Sequence, residues 1–216
     1  IKELYTYFGV LNMNFINTTT SYVLLQKTLK TKIHFSGVGV HNGRAVSMSI
    51  EPAEADTGII FQRTDLDNNN IIKAVINNVV DSRLCTKIKN SSGIYVSTIE
   101  HLMAALSALG IDNAIIKINS SELPALDGSS NEYVKKIISS GIKALNKRKK
   151  IFKVIKKVKV KSGDRFISIT PSNMLSINIT INYPETIIGH SQYFYTHTQD
   201  NFVNELSKAR TYTLHE

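Results

Sequence analysis

Apolar residues recur along this chain at two spacings, every second position and every third or fourth, and the two regimes follow one another. Val46, Met48 and Ile50 alternate with Ser47, Ser49 and Glu51, and Pro52 closes the run; this predicts a strand with one face in and one face out. Residues 59–61, 71–75 and 94–96 predict further strands, separated by Gly58, by 68–70 and by 91–93. Helical spacing then takes over at Ile99, Leu102, Met103, Leu106 and Leu109, with Ser97 as N-cap and Gly110 as the left-handed residue that stops the helix. A strand over 114–118 and a turn over 127–130 follow. A second helix carries Tyr133, Val134, Ile137 and Ile138 to an end near Gly141.

The second half reads differently. Between Ala144 and Lys150 the chain turns polar and basic, and Lys147, Arg148, Lys149 and Lys150 mark a boundary. Phe152, Val154, Val158 and Val160 then alternate with Lys153, Lys157, Lys159 and Lys161, which predicts a strand with one charged, solvated face. Residues 166–169 and 175–181 predict strands, and 200–208 a helix burying Phe202, Val203 and Leu206. The expected class is α+β, divided into an extension over 1–24 with Met13 as a candidate start, a first α+β domain over 25–146, and a partial second over 147–216.

With 216 residues, 42% of them apolar, the chain is long enough to bury a core. Its single cysteine, Cys85, excludes an intrachain disulfide and points to a reduced, cytoplasmic setting. A formal charge of +9 attracts polyanions, whether nucleic acid, anionic lipid or a nucleotide-sugar diphosphate, although an AT-rich genome would enrich lysine equally. Few aromatics interleave with the lysines and no recognition-helix pattern accompanies them, which argues against nucleic acid. No apolar run approaches the roughly 20 residues of a membrane helix, so at most a peripheral membrane contact is expected.

The candidate chemistry is Glu100-His101 in the first turn of the first helix. Two readings stand side by side. Ser97-x-x-Glu100 is a capping box, with His101 an ordinary imidazole; alternatively the pair is a base beside a metal ligand. Ala104 and Ala105 stand where a zinc-protease motif would place its second histidine. Taken singly, Thr211 reads as a helix-end hydroxyl, Cys85 as a small buried apolar residue, His41 as a turn residue, Arg63 as a solvated strand residue and Asp127 as a cap.

Read in order, Gly37-Val38-Gly39-Val40-His41-Asn42-Gly43, Phe61-Gln62-Arg63-Thr64-Asp65-Leu66, Leu84-Cys85-Thr86, Ser97-Thr98-Ile99-Glu100-His101-Leu102, Gly110-Ile111-Asp112-Asn113, Leu123-Pro124-Ala125-Leu126-Asp127-Gly128-Ser129 and Ala209-Arg210-Thr211 closely resemble the zinc-dependent UDP-3-O-acyl-N-acetylglucosamine deacetylase family of lipid A biosynthesis in Gram-negative bacteria. The resemblance implies two α+β layers of two helices each, packed helix face to helix face around the active site. It implies Zn2+ as cofactor, a UDP-sugar lipid precursor as substrate, and a monomer at full length. His101 matches the metal ligand, Glu100 the general base and Thr211 the hydroxyl assisting the oxyanion. Cys85, Arg63 and Tyr212 match substrate-binding positions, with His41 near the cleft. The family's other two ligands, in a His-Lys-x-x-Asp arrangement, and its general-acid histidine lie beyond Ala-Arg-Thr, and His190, His197 and His215 do not have that spacing. The expectation is therefore a C-terminally truncated copy with weakened zinc affinity and uncovered sheet faces. The alternative is a non-catalytic remnant, or anion-binding module, of the same fold.

Overall fold

In the computed structural model, residues 24–81 and 84–211 are described. The first half runs β1 (Leu25–Leu29), β2 (Ile33–Val38), β3 (Ala45–Pro52), β4 (Ile59–Arg63), β5 (Ile71–Lys73), β6 (Val79–Asp81), β7 (Lys87–Lys89), β8 (Tyr95–Ser97), α1 (Glu100–Ala108), β9 (Ala114–Ile118) and α2 (Asn131–Ser140). It continues through β10 (Ile142–Arg148), β11 (Val158–Ser162), β12 (Arg165–Ile169), β13 (Ser176–Tyr183), β14 (Gly189–Thr196) and α3 (Gln199–Asn204). The mixture of sheets and separate helices is the α+β class expected.

The central sheet has the order β2-β3-β9-β4-β5, antiparallel except for the β4–β9 pair. A parallel pair needs a long crossover. Here the chain between β4 and β9 supplies it, and α1 lies within it. Met48, Ile50, Phe61, Ile72, Ile116 and Ile118 of the sheet share one core with Leu102, Leu106, Tyr133 and Ile137 of the two helices. Alternation in β3 is as the sequence predicts, with Val46, Met48 and Ile50 buried, except that Ser49 is buried too.

The sequence Gly110-Ile111-Asp112-Asn113 ends α1 and pins β1. Gly110 has φ +71° and its N–H donates to the Ser107 carbonyl at 3.1 Å, while Ile111 N–H reaches the Leu106 carbonyl at 2.8 Å. That is a Schellman ending, and both Ile111 and Leu106 are buried as it requires. Asp112 accepts from Lys27 N–H at 2.9 Å. Buried Asn113 accepts from Gly58 N–H and donates to Gln26 Oε1, both at 2.9 Å.

Lys147 and Arg148 close β10, which pairs antiparallel with β1 in register Leu25 with Arg148. Two expectations are corrected. The strand predicted from Phe152 begins only at Val158: Ile151, Phe152 and Ile155 are exposed, and residues 149–157 join no ladder. The helix predicted over 200–208 is α3 followed by a 3-10 turn at Leu206–Lys208. It does bury Phe202, which joins the main core, with Val203 and Leu206 packed against it. The hairpins β11–β12 and β13–β14 leave Phe166, Ile167, Ile177, Ile179 and Phe194 exposed. No helix among the described residues is long and apolar enough to cross a membrane.

Candidate active-site cleft

The chain passes from β8 to α1 through two residues. Thr98 takes a left-handed conformation, φ +59°, and Ile99 serves as N-cap without a side-chain bond. A β-branched residue in that region costs roughly 1–3 kcal/mol and persists only where its surroundings hold it. What holds it is Glu122, only 1% exposed, whose Oε1 accepts from Thr98 Oγ1 at 3.1 Å. The same carboxylate accepts from His41 N–H and Asn42 N–H, each at 2.9 Å. Gly39 lies against it: a Cβ there would sit 2.6 Å from Glu122 Oε2 and 2.4 Å from Asn42 Oδ1. Glu122 thus binds the Gly-rich turn of 37–43 to the entry of α1. Sequence reading missed it; the only signal was an acid placed immediately before Leu123-Pro124.

This geometry replaces the capping box. Ser97 ends β8, and its Oγ donates to the Ser121 carbonyl at 3.1 Å instead of capping. Glu100 is the first helical residue, and its Oε2 accepts from Thr86 N–H at 2.9 Å. The Glu-His motif and Leu84-Cys85-Thr86 are therefore bonded to each other. A short way off, buried Tyr133 donates its hydroxyl to the Pro124 carbonyl at 3.1 Å; burial first, and the Glu100 charge second, push its ionisation well above the ordinary phenol value.

His101 is partly exposed, its imidazole without a hydrogen-bond partner among the described residues, while its carbonyl accepts from Ser130 Oγ at 2.9 Å. Ser130 follows the loop that receives the end of the described chain. Thr211 N–H donates to the Gly128 carbonyl at 2.9 Å, and the Thr211 methyl lies 3.6 Å from where a Gly128 Cβ would be. Asp127 in that loop accepts from Ser129 Oγ at 2.8 Å. Burial acts to raise its carboxyl, but the Ser129 bonds and the nearby Arg210 outweigh it, and the net shift is downward. Asp127 caps indirectly, since Ser129 Oγ, not Asp127, accepts from Asn131 N–H at 3.1 Å.

Cys85, partly exposed, lines a cleft of about 590 Å³ together with His41, Lys87, Tyr95, Ser97 and Glu122. Lys87 lies over the Tyr95 ring, 5.1 Å from its centroid. Arg63 is not in the cleft wall. Its guanidinium forks onto Asp65 at 2.8 and 2.6 Å and donates to the Tyr95 carbonyl at 2.9 Å, so it ties β4 to β8. Tyr212 and His215 lie outside the described residues. His197 shares a hydrogen bond with Tyr195 Oη at 3.0 Å, and His190 is exposed on β14. No three His, Cys, Asp or Glu among the described residues converge on a common point. Three donors with an open position are what catalytic zinc needs, so the described residues do not fit a complete zinc site; His101 is one possible ligand.

Among curated relatives, UDP-3-O-acyl-N-acetylglucosamine deacetylase of Wigglesworthia glossinidia brevipalpis is 40% identical over 193 residues, 88% of this chain and 65% of that protein. The proteins of the same name from Pasteurella multocida and Actinobacillus succinogenes are 38% and 40% identical over 192 residues, 88% of this chain and 63% of theirs. The chain thus spans 63–65% of the length of the relatives it matches. The family model of the UDP-3-O-acyl N-acetylglycosamine deacetylases (LpxC) matches residues 26–216, taking in the Glu122 turn, the Glu-His helix and the Thr211 contact alike, and this chain belongs to that family.

Proposed function

We propose that this chain carries the base and one metal ligand of a zinc-dependent amidase that removes the N-acetyl group from UDP-3-O-acyl-N-acetylglucosamine in the cytoplasm of a Gram-negative bacterium. The observation that supports it is the bond from Thr86 N–H to Glu100, which joins the carboxylate, sequence neighbour of partly exposed His101, to the residue that follows cleft-lining Cys85.

Zinc supplies Lewis acidity when bound, and His101 is the ligand this chain offers. Its other residues act as follows. Glu100 has Oε2 engaged by Thr86, and its other oxygen is assigned the proton of the attacking water. The Thr86 bond fixes the carboxylate in orientation. Thr211, whose backbone N–H donates to the Gly128 carbonyl, is assigned the hydroxyl that meets the oxyanion. Cys85 forms part of the wall that takes the substrate.

The test is acetate release from UDP-3-O-acyl-N-acetylglucosamine with zinc supplied. Glu100→Gln is expected to lower kcat about 100- to 10,000-fold, the range for a lost general base, with a smaller change in KM. Undiminished turnover in Glu100→Gln rules out the assigned base. A second reading, binding without turnover, is favoured because no three His, Cys, Asp or Glu among the described residues come together. One-to-one zinc together with deacetylation by the parent chain removes it; substrate binding without acetate release establishes it.

A further inference from the structure

Residues 147–157 serve neither the core nor the cleft. They read Lys-Arg-Lys-Lys-Ile-Phe-Lys-Val-Ile-Lys-Lys, seven cations and four apolar side chains without one carboxylate. The base of the segment is fastened down: Lys147 pairs with Asp56, Lys149 with Asp112 at 2.7 Å, and Lys149 N–H donates to the Leu24 carbonyl at 2.7 Å. Beyond it, Arg148, Lys150, Lys153, Lys156 and Lys157 are exposed and have no ion-pair partner among the described residues. Between those cations stand Ile151, 61% exposed, Phe152, 75%, and Ile155, 55%. A solvated basic stretch has no use for that hydrocarbon, and a core strand would have buried it.

We propose that the 147–157 segment docks this protein on the surface of a bilayer containing anionic lipid. Arg148, Lys150, Lys153, Lys156 and Lys157 meet the headgroups, while Ile151, Phe152 and Ile155 enter the interface. Charge complementarity selects an anionic partner, and the aliphatic residues select a bilayer over nucleic acid. A phosphate backbone takes the cations but offers Ile151 and Ile155 nothing, and a single strand would stack on repeated aromatics, of which the segment has only Phe152. Nothing in this surface depends on the chemistry at Glu100 and His101.

Co-sedimentation of the whole chain with vesicles of phosphatidylcholine, with and without phosphatidylglycerol, tests it. Binding is expected only with phosphatidylglycerol, weakening as salt shortens the screening length from about 10 Å at 0.1 M to about 3 Å at 1 M. Each removed cation lowers the partition about fivefold, so R148Q/K150Q/K153Q/K156Q together lower it more than about a hundredfold. F152S/I155S weakens binding while keeping its salt dependence. Changing exposed Lys30, Lys73, Lys89 and Lys208 to Gln instead leaves most of it, and all variants should unfold at the parent's temperature. Equal binding to pure phosphatidylcholine overturns the proposal, as does parent-like binding by the segment variants. So does tight duplex DNA binding that F152S/I155S leaves unchanged while vesicle binding is absent.

Discussion

Glu122 shows how one buried carboxylate can hold a turn and a helix entry together. Its carboxylate collects the amides of His41 and Asn42 and the hydroxyl of Thr98, and leaves Gly39 no room for a side chain. Two predictions follow from that crowding. Gly39→Ala places a methyl 2.6 Å from Glu122 Oε2, so either the turn or the carboxylate must move; a loss of about 1–3 kcal/mol in urea unfolding is expected. A change under about 0.5 kcal/mol would show that the turn yields freely. Glu122→Gln keeps the shape but turns an –NH2 toward a backbone N–H. The mismatch leaves buried donors unpaired, at an expected cost of about 1–3 kcal/mol in the same measurement.

At the scale of elements, the sequence revealed what is local and concealed what depends on distant partners. The core face of β3, the crossover helix and its Gly110 stop were legible because period and punctuation sit within a few residues of one another. The entry of α1 was not: Ser97, a good cap by type, is held in β8 by Ser121, and Glu100 turns to Thr86, fourteen residues upstream. Likewise Lys147 and Arg148 look like linker until β1, over a hundred residues away in the chain, is set beside them. Glu100, His101, Cys85 and Thr211 were singled out by their ordered motifs. Arg63 was singled out by the same means, and Asp65, two residues on, takes its guanidinium. Gly110→Ala forces a Cβ into φ +71° at the Schellman ending, and a loss of roughly 1–2 kcal/mol is expected, read as a lower urea midpoint with unchanged slope. An unaffected midpoint would mean the ending tolerates a side chain.

Across the whole molecule, net positive charge and a few well-placed carboxylates set the response to acid. Glu51 on β3 bridges Lys32 and Lys117, at 2.7 and 2.9 Å, and the Lys32 bond, opposed by partial burial and aided by Lys117, holds its carboxyl below the usual value. Asp65 is lowered chiefly by the Arg63 fork. For carboxyls depressed in the folded state, the stability they contribute is complete above the unfolded value, about 4, and is lost as pH falls through the folded values. A flat stability near neutrality and a decline below about pH 4 are therefore expected, and Glu51→Gln should make that decline shallower. A second force acts in the same pH range: starting from +9, each protonated carboxylate adds to self-repulsion. Salt separates the two, because long-range repulsion is screened at about 1 M while a contact pair under 3 Å is screened less. Unfolding titrations at low and high salt should thus differ in depth below pH 4 but retain the Glu51→Gln difference; if high salt abolishes that difference, the bridge acts as diffuse charge and not as the contact seen between β3 and β9.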